Sequence, residues 1–178
     1  MTDDSVERTV KKLEAEEKRA EAAKRDLAQQ AEIKETQAPR TWRELKQCMK
    51  KHCEDVNAKA GKHYLEFKET KSTEFDVVKK CSSSPDTLHV VLNPQACTIT
   101  YKTKGGSSLV TIVDKSLGVK RDGMFMPEVV GKQFFFTQDG TSVTVEEMRE
   151  TLIRALLQFP ENDPETGMEN NPEVGPGG

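Results

Sequence analysis

The chain has 178 residues, 32% of them charged, only 6% aromatic, and a net charge of −3; that suits one ordinary domain plus extensions, and not all of it can be buried. Residues 1–40 carry nine Lys/Arg and ten Asp/Glu, residues 41–159 carry 18 and 15, and residues 160–178 none and five. No part is basic enough to point to nucleic acid by charge alone, and no run approaches the roughly 20 apolar residues of a membrane span.

The opening MTDDSVERTV has acidic residues where a secretory signal has basic ones, and no apolar stretch follows it. A cytoplasmic setting is therefore expected. The four cysteines lack the spacing of a disulfide framework and are expected as reduced thiols.

Residues 5–35 are rich in Ala, Glu, Lys and Arg and contain no Pro or Gly, a helical composition. The best heptad frame puts Val6, Leu13, Ala20 and Leu27 at d and Val10, Glu17, Lys24 and Ala31 at a. Two charged a positions make a poor seam, while pairs such as Glu14–Lys18 and Glu21–Arg25 support an exposed helix. Residues 1–40 are thus a charged extension. It is a solvated helix, a weak coiled coil, or a partly disordered arm that folds on a partner. ETQAPR at residues 35–40 reads as a linker, because Pro39 discourages helix through it.

Thr41–Gly61 is the clearest amphipathic helix. Thr41 and Glu44 fit a capping box. Trp42, Leu45, Met49, Cys53, Val56 and Ala60 share one stripe at 3.6-residue spacing, and Gly61 is the expected stop.

The period then changes from 3.6 to 2. Strands are expected at 63–69, 74–80, 87–92, 97–103, 108–114 and 132–138, with a further short strand near Leu117–Arg121 and a turn at Asp122-Gly123, after which Met124, Phe125 and Met126 can lie against the core. Thr144 and Glu147 offer a second capping box. The helix after it places Val145, Met148, Leu152, Ala155, Leu156 and Phe159 on one stripe, with Ile153 at its edge. Residues 161–178 have the composition of an acidic disordered tail.

The expected fold is α+β: one antiparallel β-meander of five to seven strands, packed by an N-terminal and a C-terminal amphipathic helix over residues 41–160 and preceded by the charged helical extension.

Chemistry is sparse. Cys48 and His52 stand at i and i+4 and could share a metal or a proton. Cys53 points away from Cys48, and there is no C-x-x-C or H-x-x-x-H pair, so no metal site, cofactor or catalytic set is expected. Lys79, Lys80, Lys102 and Lys104 are a weak candidate surface for an anionic ligand such as a lipid headgroup. The more informative feature is apolar. Tyr64, Val78, Val91, Val113 and Phe135 alternate away from the core positions, onto a sheet face that is usually polar. They are candidate partner-binding residues.

The expectation is a non-enzymatic interaction or adaptor domain whose extension gives reach or oligomerisation. A protein partner or self-association fits this, nucleic acid and an integral membrane role do not, and peripheral lipid contact stays open. The alternatives are a module for a small apolar or anionic ligand, or a thiol enzyme using Cys48 and His52.

Overall fold

A computed structural model describes residues 3–80, 85–105 and 121–157. The helix α1 (Asp3–Ala60) is followed by seven strands: β1 (Leu65–Lys71), β2 (Glu74–Lys79), β3 (Asp86–Asn93), β4 (Thr98–Lys104), β5 (Asp122–Val130), β6 (Gln133–Gln138) and β7 (Thr141–Val143). Helix α2 (Val145–Leu157) ends the described chain. The strands form one antiparallel sheet in sequence order, so this is an α+β meander with two helices on it. Several expectations lie outside the described residues: the strand at 108–114 with its Val113, the short strand near Leu117–Arg121 apart from Arg121 itself, Phe159, and the tail 161–178.

Both helices cover the same face of the sheet. From the strands come Leu65, Phe75, Val77, Leu88, Val90, Leu92, Ile99, Tyr101, Phe125 and Phe136, all buried. Against them pack Trp42, Leu45, Met49 and Cys53 of α1, and Met148, Leu152, Ile153, Ala155 and Leu156 of α2. Of the expected α1 stripe, Val56 is half-buried and Ala60 is exposed, because the helix has run past the sheet by its last turn. Trp42 stacks at a tilt on Phe75, 5.2 Å between ring centres, and its Nε1 donates to Ser72 O in the β1–β2 turn at 2.8 Å. Asn57 works as a clamp at the other end of the contact. Its Nδ2 donates to Leu65 O at 2.7 Å while its Oδ1 accepts from the amides of Tyr64 and Leu65. One side chain thereby satisfies both backbone groups of Leu65 at the start of the edge strand β1 and shares the Tyr64 amide with Lys62 O.

The expected break before Thr41 does not occur. The helix α1 runs through Pro39 without interruption, and the Thr41 hydroxyl donates back to Gln37 O at 3.2 Å instead of accepting from Glu44. Residues 35–40 are helix and not a linker. The physical reason is packing: Ala38 is buried next to the proline while Pro39 faces solvent. A proline removes one i→i−4 bond, here the one to Glu35 O, and crowds that carbonyl. Tertiary contact on both sides of the site outweighs that local cost.

A second correction concerns Asp122-Gly123, which opens a strand where a turn was expected. β5 pairs with β4 through Asp122–Phe125 and with β6 through Met126–Val130. Pro127 therefore lies beyond the last β4–β5 pair, where a missing N–H breaks no bond to β4. β7 is a further strand absent from the sequence expectation. Asp139 and Gly140, with φ of 50° and 80°, make the two-residue turn that brings Thr141 opposite Gln138. The second capping box is present as expected: Thr144 N donates to Glu147 Oε2 at 2.7 Å and Glu147 N to Thr144 Oγ1 at 3.2 Å. At the other end of α2, the buried Thr103 hydroxyl donates to Ala155 O and ties the helix to β4.

Gly123 sits directly under the Tyr101 ring. A Cβ there would stand 2.5 Å from the phenol oxygen, which accepts a hydrogen bond from Gln138 Nε2. Gly123→Ala is expected to push the ring off its site at an overpacking cost of about 1–3 kcal/mol. Urea denaturation should show this as a lower midpoint with an unchanged slope; an unchanged midpoint would contradict the contact.

Candidate interaction surfaces

The free surface begins on α1. Every side chain from Ser5 to Gln29 is exposed. At 1.5 Å per residue this is about 40 Å of helix projecting from the domain. Val6, Val10, Leu13 and Leu27 are 60, 46, 59 and 66% exposed. At 100° per residue, these four with Ala20 and Ala31 fall in the same sector of about 100° as Ala38, Trp42, Leu45, Met49, Cys53 and Val56. One apolar stripe thus runs the length of the helix. Its C-terminal half is sealed by the sheet and α2, and its N-terminal half is open. Exposed pairs Glu7–Lys11 at 3.1 Å and Glu21–Arg25 at 3.8 Å line the arm beside the stripe.

The outer face of the sheet carries the second candidate surface, and the structure separates the residues expected there. The register places Lys68, Asp76, His89, Lys102 and Asp122 side by side across β1 to β5. His89 Nδ1 and Asp76 Oδ1 are 2.5 Å apart. This charged row lies between Val78, flanked by Glu66 and Thr87, and Val91, flanked by Glu74 and Thr100. Tyr64, 37% exposed, stands just before β1 and lines a groove at the end of the sheet. Val113 is outside the described residues. Val91 and Phe135 do share a band, but through two of the three residues 124–126 expected against the core, where only Phe125 is found. Met124 lies opposite Thr100, the neighbour of Val91. Met126 lies opposite Thr137, two residues from Phe135 on the same face. Met124 and Met126 are each 44% exposed. Reading residues 124–126 as strand, with Phe125 inward, would have found them.

Of the four candidate anionic-surface lysines, Lys79 is turned away from Lys102 and Lys104. Lys79 points to the helix side and pairs with the buried Asp86 at 3.5 Å. Lys80 pairs with Glu66 at 2.7 Å and holds that carboxyl below its ordinary range. Lys102 and Lys104 are exposed on the outer face, opposite His89 and Thr87.

The groove beside Tyr64 is open, about 420 Å3 in volume, and lined by His52, Val56, Tyr64, Leu65, Lys79 and Leu157. Cys48, one turn before His52, has Arg149 Nη1 at 3.9 Å from its sulfur. Burial raises the Cys53 thiol to about 11 and the Cys97 thiol above its ordinary value, which makes them poor nucleophiles. Cys81 lies outside the described residues. Among the described residues no group of three His, Cys, Asp or Glu side chains could hold a metal ion, and no helix is long and apolar enough to cross a membrane.

Burial, with the Arg149 charge second, holds His52 below its ordinary pKa. The unfolded chain takes up the proton near pH 6.5, whereas the folded chain does so only at lower pH. On unfolding His52 therefore binds a proton in that window, and its contribution to stability falls as pH drops below about 6.5. His52→Gln is expected to flatten this slope. Urea melts of both proteins at about pH 7.5 and 5.5 test it, and equal slopes would contradict it.

Two apolar surfaces and a groove beside Tyr64 thus stand on an α+β meander. No family model, no curated protein and no solved structure matches this chain.

Proposed function

We propose that the protein is a non-enzymatic, cytoplasmic protein-interaction module: a compact α+β domain that anchors a long helix and offers the helix's free half to a protein partner. The carrying observation is the open N-terminal half of the α1 stripe, in line with the half that is buried. Scattered apolar residues are normal on a surface. Val6, Val10, Leu13 and Leu27 are different, because they recur at the spacing that a facing helix needs. The Val91–Met124–Met126–Phe135 band is a second contact surface of the same module.

The test is an affinity capture with the full chain and with a Leu13→Asp/Leu27→Asp variant of equal thermal midpoint. The reading expects a stoichiometric protein partner held by the first and lost by the second. The same captured set with both proteins would overturn the role of the arm.

A second reading has one observation in its favour. The groove beside Tyr64 has apolar walls in Val56, Leu65 and Leu157 and fits a small apolar ligand in volume. Val56→Trp would fill it. A ligand found on the purified protein and absent from that variant would move the reading to a binding module.

A further inference from the structure

The arm's stripe has an electrical character, and this selects among the partners that could cover it. In the frame with Val6, Leu13, Ala20 and Leu27 at d, the positions that flank a helical seam are e and g. Position e is Glu7, Glu14, Glu21 and then Ala28; position g is Thr9, Glu16, Ala23 and Gln30. Glu17 and Lys24 occupy a. Three successive heptads therefore set five carboxylates and one ammonium on or beside the stripe. The lysines and arginines are turned outward: Lys11, Lys18 and Arg25 sit at b, one step beyond the glutamates, and Lys12 and Arg19 at c. The Glu7–Lys11 and Glu21–Arg25 pairs are solvent-exposed on both sides, so they are weak and screened, and they leave carboxylate lone pairs free on the seam side.

A second copy of this chain is a poor occupant. A parallel pair would set Glu16 against Glu21 of the other chain, Glu17 against Glu17 and Lys24 against Lys24. An antiparallel pair would set the row Glu7, Glu14 and Glu21 against itself. Like charges opposed across a seam disfavour the pairing in either direction. A helix with lysine or arginine at its own flanking positions meets the opposite case along the whole row.

From this charge complementarity we infer that the arm receives a basic amphipathic helix from a different protein, laid along residues 6–27, and that the same charges keep the arm from pairing with itself. The inference rests on the arm being a protein-interaction element and names the partner's chemistry. Towards the domain the flanks become neutral, at Ala28 and Gln30, so the electrostatic selection acts on the outer three heptads.

The experiment uses the full chain and two labelled peptides of about 28 residues with the same Ile/Leu seam. One has lysine at every e and g position and the other glutamate. Fluorescence anisotropy is expected to show the lysine peptide binding at least about tenfold more tightly than the glutamate peptide. The preference should shrink in about 0.5 M salt, where the Debye length is a few ångströms. The variant Glu7→Lys/Glu14→Lys/Glu21→Lys should reverse the order, and Leu13→Asp/Leu27→Asp should lose both peptides.

Equal binding of the two peptides, or preference for the glutamate peptide, overturns the inference and leaves the arm as an interaction surface. So does self-association in sedimentation equilibrium that Leu13→Asp/Leu27→Asp abolishes. If neither peptide binds and the chain is monomeric, both the inference and the interaction reading of the arm fall.

Discussion

Trp42→Ala is expected to lower the unfolding free energy by about 3–5 kcal/mol, the range for deleting a buried aromatic side chain. Trp42 is 3% exposed, it stacks on Phe75, and its indole N–H satisfies Ser72 O in the β1–β2 turn. The alanine leaves a cavity between α1 and the sheet and takes from Ser72 O its shorter bond, leaving the 3.4 Å bond from Lys46 Nζ. Trp42→Phe separates the two contributions, since it keeps most of the ring contact and gives up the hydrogen bond. About 1–2 kcal/mol is expected for it. Urea denaturation of the three proteins measures both. Equal losses in the two variants would mean that the hydrogen bond carries the effect, and no loss in either would contradict the packing of α1 against β1 and β2.

Pro39→Ala should act in the opposite direction and locally. A proline inside a helix costs up to about 3 kcal/mol relative to alanine, through the missing N–H and the crowded carbonyl one turn back. Pro39 is exposed, so the alanine loses no core contact. The outer arm has no tertiary support, because its side chains from Ser5 to Gln29 are exposed. Its helicity therefore depends on propagation from the anchored half, and Pro39 stands in that path. The variant is expected to slow amide exchange in residues 8–35 by up to about 100-fold, the factor that corresponds to such an energy. The core strands should change little. Unchanged exchange in the arm would mean that propagation across residue 39 is already unimpeded.

These two residues also mark what was readable in the sequence. Trp42, Leu45, Met49 and Cys53 were legible as the buried stripe because periodicity reports burial directly. Most strands were legible for the same reason, and the Thr144–Glu147 box because both of its bonds are local. The misread elements depend on distant partners. Pro39 is a local stop signal overruled by the packing of Ala38 next to it. β5 contains Pro127, which argues against a strand until one sees that β5 passes from β4 to β6 at that point. β7 is three residues long, too short for an alternation to show.

The surfaces were partly legible. The outer-face alternation of Val91 and Phe135 was visible, but not the charged row that divides Val78 from them, since register is a property of pairing rather than of one strand. The arm's heptad frame was visible. Its importance was not, because the apparent linker at 35–40 hid that the arm's stripe and the buried stripe belong to one helix.

That continuity is the central claim, and a distance tests it most directly. Spin labels carried by unnatural amino acids in place of Arg19 and Arg43, both exposed, would lie 24 residues apart along α1, about 36 Å for unbroken helix. A single narrow distribution at that separation is the predicted result of pulsed dipolar spectroscopy on the full chain. A broad distribution, or one centred well short of it, would mean that the chain breaks near Pro39, and would contradict an arm held in line with the buried stripe.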